Sequence, residues 1–259
     1  MLELKNVCVN YGSKMVLDDL SVSFEGGKVT ALIGVNGCGK STLLRSALGL
    51  VGLDGQVLID GRSITEMKRL DIAKRISYLS QGKDTPDMTV GQLVLHGRFP
   101  YMKYPRRYTD ADRSAALAAI KRVGLDRLSD APLRTLSGGM RQNAYIAMAL
   151  AQDTDYILLD EPTTYLDISH QIELMELLRT LADSGKGVVT VMHDLTLAFD
   201  FCDLIAVMDK GRIITVASPD ELADSELITD IFGVKLIKDG NGGYSYRRKS
   251  TVIGGKNDF

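Results

Sequence analysis

Residues 28–41, Lys-Val-Thr-Ala-Leu-Ile-Gly-Val-Asn-Gly-Cys-Gly-Lys-Ser, decide how this chain folds. The apolar run 28–35 is bounded by glycines, as in a strand buried on both faces of a parallel sheet. From Lys40 to Leu50 the pattern becomes helical. The junction, Gly34-Val35-Asn36-Gly37-Cys38-Gly39-Lys40-Ser41, matches G-x-x-x-x-G-K-[ST] and is followed by Thr42. Its glycines let the backbone curl so that successive N–H groups point inward at an anion. The following helix start adds partial positive charge, Lys40 neutralises terminal phosphates, and the Ser41 hydroxyl can ligate Mg²⁺. A glycine-rich turn with an incidental lysine is the bland alternative. A strand before the motif and a helix after it argue against that reading.

The flanking sequence extends the pattern. Residues 1–30 read as β structure, with Leu2 and Leu4, then Val7 and Val9, in loose alternation and a turn at Gly26-Gly27. Short strands are predicted at 56–60 and 76–80. Residues 84–150 change character: they hold Pro86, Pro100, Pro105 and Pro132 and several helix starts, including a capping box at Thr109–Asp112. We read them as an α-helical insertion. Strand–helix alternation then resumes: strand 156–160, a helix near 168–184 with Ile172, Met175, Leu178 and Leu181 along one side, strand 188–192, a helix near 195–201 and a hairpin over 204–217 turning at Asp209-Lys210-Gly211. A second box, Ser218-Pro219-Asp220-Glu221, opens a C-terminal helix, and a DGNGG turn joins two further strand candidates ahead of a basic end. Alternation of this kind predicts an α/β fold with a mostly parallel sheet covered on both faces.

Composition sets limits. The 259 residues carry 31 Lys and Arg against 33 Asp and Glu, a formal net charge of −2 that offers no general attraction to nucleic acid phosphates. Cys8, Cys38 and Cys202 are odd in number and far apart, unlike a disulfide framework or a zinc cluster. Cys8 and Cys202 read as small apolar fillers, and Cys38 as a spectator beside the loop that thiol reagents could reach. No apolar run approaches the ~20 residues needed to span a bilayer.

Two more segments carry chemistry. Tyr156-Ile157-Leu158-Leu159-Asp160-Glu161 is an apolar strand ending in two carboxylates. Asp160 would face a Mg²⁺ at the phosphate loop, and Glu161 could polarise an attacking water. Leu136-Ser137-Gly138-Gly139 is a serine N-cap with two glycines, a second exposed helix start suited to an anion. Phosphate loop, LSGG, then hydrophobic strand with Asp-Glu is an order that resembles the ATP-binding cassette (ABC) ATPases.

The resemblance covers nearly the whole of residues 1–259 and implies a RecA-like P-loop NTPase core. Residues 1–83 and 151–259 would form that core with an antiparallel N-terminal β part, and 84–150 the helical subdomain bearing the signature. It implies ATP and Mg²⁺ as ligands. Tyr11 would stack on adenine. Gln81 would contact Mg²⁺ with Ser41 and Asp160. Glu161, His193, Gln81 and Lys40 would carry catalysis. Tyr165-Leu166-Asp167 would contact an opposing subunit. One departure stands out: Met140 follows LSGG where the family usually has glutamine. His96 and His170 read as ordinary helix residues.

By the same resemblance, two cassettes pair head to tail, with ATP between the phosphate loop of one and the LSGG of the other. The stretch LSGGMRQNAYIAMALAQDTDYILLDEPTTYLDISHQIEL (136–174) and HGRFPY (96–101) resemble ATPase subunits of iron-chelate (siderophore, haem) and cobalamin importers. That implies an integral membrane permease as partner, a solute-binding protein at one remove, and a peripheral place on the cytoplasmic face of the membrane. An ABC ATPase of iron–sulfur assembly remains an alternative. Glu161 and His193 argue against a non-hydrolysing ATP-binding regulator.

Overall fold

The computed structural model describes residues 1–82, 85–164, 166–240 and 242–248. The chain begins with a β-hairpin, β1 (Leu2–Tyr11) and β2 (Lys14–Phe24), then turns through Gly26-Gly27 into β3 (Val29–Gly34), buried along its whole length, and α1 (Lys40–Ala47). Next come β4 (Asp54–Ile59), β5 (Arg62–Ser63), α2 (Arg69–Ala73) and β6 (Ile76–Leu79). Three helices follow: α3 (Val90–His96), α4 (Asp110–Arg122) and α5 (Gly138–Ala151). Strict alternation then returns with β7 (Tyr156–Asp160), α6 (Ile168–Asp183), β8 (Gly187–Val191), α7 (Leu195–Phe201), β9 (Leu204–Asp209) and β10 (Arg212–Ala217). The chain ends with α8 (Pro219–Ala223), α9 (Leu227–Phe232), β11 (Val234–Lys238) and β12 (Tyr244–Arg248).

Strands β10-β9-β3-β8-β7-β6 form one sheet in that order, parallel throughout except for β10. Because side chains alternate along a strand, β3 sends Ala31 and Ile33 to a core shared with α5, α6 and α7, and Leu32 to the core under α1. Each fully buried leucine here, such as Leu32 or Leu158, stabilises the fold by about 1.5–3 kcal/mol relative to an exposed one. Strands β2-β1-β4-β5 form an antiparallel sheet over the α1 side. The loose alternation of β1 has a cause: the register shifts between Leu4 and Val7, and Asn6 takes φ 50° there. The bulge brings the Asn6 carbonyl so close to Gly55 that a Cβ on Gly55 would lie 2.3 Å from its oxygen.

Helices α3, α4 and α5 pack on one another, and their apolar residues join the sheet core without a break. Thr109 caps α4 by accepting from the Asp112 N–H while Asp112 accepts from the Thr109 N–H, the reciprocal box expected from sequence. Asp112 and Arg98 form a partly buried ion pair at 3.1 Å, and Arg98 also donates to the Ala151 carbonyl, tying α4 to the end of α5. Burial pushes the Asp112 carboxyl up, but the Thr109 and Arg98 hydrogen bonds outweigh it and hold the group below its ordinary range.

Two expectations change. Ile172 does not lie on the buried face of α6, being 38 % exposed; Leu174, Met175, Leu178 and Leu181 form that face. Six residues separate Ile172 from Leu178, which at about 100° each places it roughly 120° around the axis. The helix opened by Ser218 is only the short α8, and a second helix, α9, follows it. The basic end beyond 248 lies outside the described residues. Among the described residues no helix is long and apolar enough to cross a membrane.

Candidate functional site

The parallel register brings the C-terminal ends of β3, β8, β7 and β6 to one edge at one level, where open α/β sheets hold their ligands. The β3 end leads into the loop of residues 34–41. Gly37 and Gly39 take φ 79° and 110°, values that favour glycine, and a Cβ on Gly39 would lie 2.8 Å from both Leu17 Cδ2 and Met208 Cε. No side chain caps α1, and its first turn holds no acidic residue, so its leading N–H groups remain available to an anion. The Lys40 ammonium is held in the loop by the carbonyls of Gly34 (2.8 Å) and Val35 (3.2 Å).

Tyr11, Asn36, Gly37, Gly39, Lys40, Ser41, Thr42, Gln81, Glu161 and His193 line one open cleft at this edge. Lys14 and Val16 also border it, which the sequence reading missed. Asp160 sits beneath, 2 % exposed, its Oδ1 accepting from Ser41 Oγ at 3.1 Å and its Oδ2 from the Tyr78 hydroxyl at 3.2 Å. Burial pushes the Asp160 carboxyl up, against the pull of the Ser41 and Tyr78 hydrogen bonds, and the Glu161 charge pushes the same way as burial.

Glu161 stands one residue past β7 at φ 53°, a left-handed backbone costing about 1–2 kcal/mol for a residue with a Cβ. The twist turns its carboxylate toward the neighbouring strand ends. Gln81 Nε2 donates to Oε2 at 2.5 Å, and His193 Nε2 lies 2.6 Å from Oε1. Gln81 follows β6 and His193 follows β8, so the strands on either side of β7 each supply one partner.

Some expected residues lie elsewhere. Gly34 and Cys38 belong to the loop but not to the cleft wall: the Gly34 carbonyl faces Lys40, and the Cys38 thiol is buried against Gly34. Burial raises the Cys38 pKa in spite of nearby Lys40, so the thiol is poorly placed to meet reagents. Burial likewise pushes the Cys202 thiol up to about 12. Leu136, Ser137, Gly138 and Gly139 stand apart at the start of α5. Ser137 Oγ caps that helix on the Met140 N–H, and Gly138 borders a separate cavity with Ser80, Gly82, Arg141, Gln142 and Tyr145. The Met140 side chain is exposed. Leu166 packs toward Gly139, and Asp167 caps α6. Hydrogen bonds from the backbone and ring of His170 and from Ser169 hold Asp167 at about 2. Tyr165 lies outside the described residues.

The donor chemistry suits a divalent cation. A buried carboxylate is costly without a cation, and Asp160 makes no ion pair among the described residues. A hydroxyl and a carboxylate are hard oxygen ligands. Mg²⁺ takes one or two such groups and completes its shell with water and phosphate oxygens.

The sequence profile described as ABC transporter matches residues 17–164. The chain is 42% identical over 234 residues to the petrobactin import ATP-binding protein FpuD of Bacillus anthracis, covering 89% of this chain and 86% of that protein. It is 42% identical over 236 residues to the ferric enterobactin transport ATP-binding protein FepC of Escherichia coli K12, covering 90% and 87%. Its fold superposes on the dimeric structure of the bacterial ABC transporter cassette MJ0796 with a TM-score of 0.74 at 28% identity, covering 85% of this chain and 99% of that one. With phosphate loop, acidic strand end and LSGG helix set on one such fold, the chain belongs to the ABC transporter family of ATP-binding proteins.

Proposed function

We propose that this chain is the ATP-hydrolysing subunit of an importer for iron chelates of the siderophore class. The observation that carries the reading is the 42% identity, over 89–90% of the chain, to proteins named for petrobactin import and ferric enterobactin transport. In this reading residues 1–83 and 151–259 are the nucleotide-binding core and 84–150 the helical part that answers to a partner.

The residues divide the work as follows. The N–H groups of 37–42 and the Lys40 ammonium bind the phosphates, and Tyr11, exposed at the cleft mouth, stacks on the base. Ser41, Asp160 and Gln81 would hold Mg²⁺, which would supply positive charge to the phosphoryl oxygens. Glu161 accepts a proton from the attacking water, and Gln81 and His193 orient its carboxylate. Leu136–Gly139 and the loop 165–167 serve a second copy: a phosphate loop leaves one side of the terminal phosphate open, and another helix start can close it. ATP then favours the closed pair, and hydrolysis removes that preference. That difference would drive a membrane permease, with a solute-binding protein delivering the chelate and this subunit peripheral on the cytoplasmic face.

The test is uptake. Cells whose gene for this chain is deleted should lose accumulation of a radioactive ferric siderophore and regain it with the parent gene but not with a Lys40→Ala copy. Undiminished uptake of ferric catecholate and hydroxamate chelates in the deletion strain would overturn the assignment.

A further inference from the structure

Asp160 is held at both oxygens, and only one of its two partners belongs to the phosphate loop. Ser41 meets Oδ1, while Oδ2 is met by Tyr78, a half-buried tyrosine on β6 that no motif singles out. The phenol donates to the carboxylate, which leaves its oxygen lone pairs free to accept, and the positive charge of Arg45 on α1 pulls the phenol's pKa down against burial. Arg45 stands four residues after Ser41, on the same face of α1, so one helix carries both the hydroxyl that meets Asp160 and the guanidinium that braces its other partner. Side chains from α1 and β6 thus converge on Asp160 at the end of β7.

We propose that Tyr78 is a positioning residue that fixes the Asp160 carboxylate in the orientation needed for the cation that accompanies ATP, with Arg45 bracing its hydroxyl. The physical case lies in the geometry. A carboxylate at a strand end can rotate about χ2, and a cation bound on the Ser41 side does not by itself hold the far oxygen. A hydrogen bond to Oδ2 from a rigid ring seated in the sheet removes that freedom before the cation arrives. Outer hydrogen bonds of this kind tune metal affinity through the ligand they orient. The inference rests on the nucleotide site proposed above.

The experiment measures binding. A ribose-labelled fluorescent ATP is titrated into the purified chain in EDTA, then at fixed nucleotide with increasing Mg²⁺. Tyr78→Phe keeps the ring and removes only the hydroxyl, so a packing role would survive it. The Mg²⁺ concentration for half-maximal enhancement of binding is expected to rise about tenfold to a hundredfold, the worth of one hydrogen bond to a charged metal ligand. Affinity in EDTA and thermal melting should stay at parental values. Arg45→Met should shift the Mg²⁺ requirement in the same direction, and that shift should vanish in the Tyr78→Phe background, because both act through one hydroxyl. An unchanged Mg²⁺ requirement in Tyr78→Phe overturns the proposal, and additive shifts in the double variant overturn the bracing by Arg45. If the parent chain itself shows no Mg²⁺-dependent binding, the fault lies with the nucleotide site and not with Tyr78.

Discussion

Replacing Glu161 by glutamine separates a chemical role from a structural one. Glutamine keeps the volume and the one-residue reach past β7 but cannot take a proton. On the stability side the change is small. The Glu161 side chain is 15 % exposed and accepts from an exposed glutamine amide and an imidazole. The Gln81 amide can turn over and the His193 ring can change tautomer, so both contacts can re-form with an uncharged partner. Loss of the charge also relieves Asp160, whose pKa Glu161 helps to raise. The φ of 53° suits glutamine no worse than glutamate. The net change in unfolding free energy should stay within about 1 kcal/mol, the value of one ordinary hydrogen bond. On the chemical side, removing a positioned general base costs about 10²–10⁴ in turnover, or ~3–5.5 kcal/mol of barrier. Phosphate release at saturating ATP and Mg²⁺ reads the second number, and urea denaturation reads the first. Turnover within tenfold of the parent, with nucleotide binding intact, would refute the assignment of Glu161 as the base. With ATP bound and unhydrolysed, Glu161→Gln should also persist as a pair of chains, seen as a doubled mass by light scattering.

Lys40→Ala removes the ammonium held by the Gly34 and Val35 carbonyls and should abolish both nucleotide binding by calorimetry and phosphate release. Gly39→Ala forces a Cβ onto φ 110° and into Leu17 and Met208, and should lower stability by about 2–5 kcal/mol in a denaturant series. Asp112→Asn weakens the partly buried pair with Arg98 and should cost about 1–3 kcal/mol. The same residue sets a pH signature. Its folded carboxyl titrates below the ordinary value, so the stability it contributes is complete above that value and is lost as pH falls through the depressed one. Melting temperature against pH should therefore lose part of its acid limb in Asp112→Asn.

Legibility in the sequence followed the strictness of local demands. The loop at 34–41 was readable because its geometry needs glycine at 37 and 39, a lysine within reach and a strand feeding it, and few sequences meet all three. Capping boxes at Thr109 and Ser218 were readable for the same reason. Ile172 was misplaced because a three-residue spacing drifts around a helix, and only packing shows which edge of the stripe is covered. Tyr78 looked like any aromatic in a strand, and Arg45 like any basic residue on a helix surface. Their roles depend on a strand 82 residues further along bringing Asp160 to Tyr78. The Arg98–Asp112 pair is not legible because nothing in the thirteen intervening positions marks two charges as partners rather than solvated.

The cleft is assembled from the tips of four adjacent strands that the chain visits in the order β3, β6, β7, β8, with the β1–β2 hairpin closing one side. No one loop or hairpin therefore contains enough of it to work alone. Slippage of any of these strands by a single residue would turn its contribution to the wrong face. Heat or denaturant should accordingly abolish nucleotide binding in the same transition that melts the sheet, without a partially denatured form that still binds, and binding becomes a faithful reporter of the intact fold.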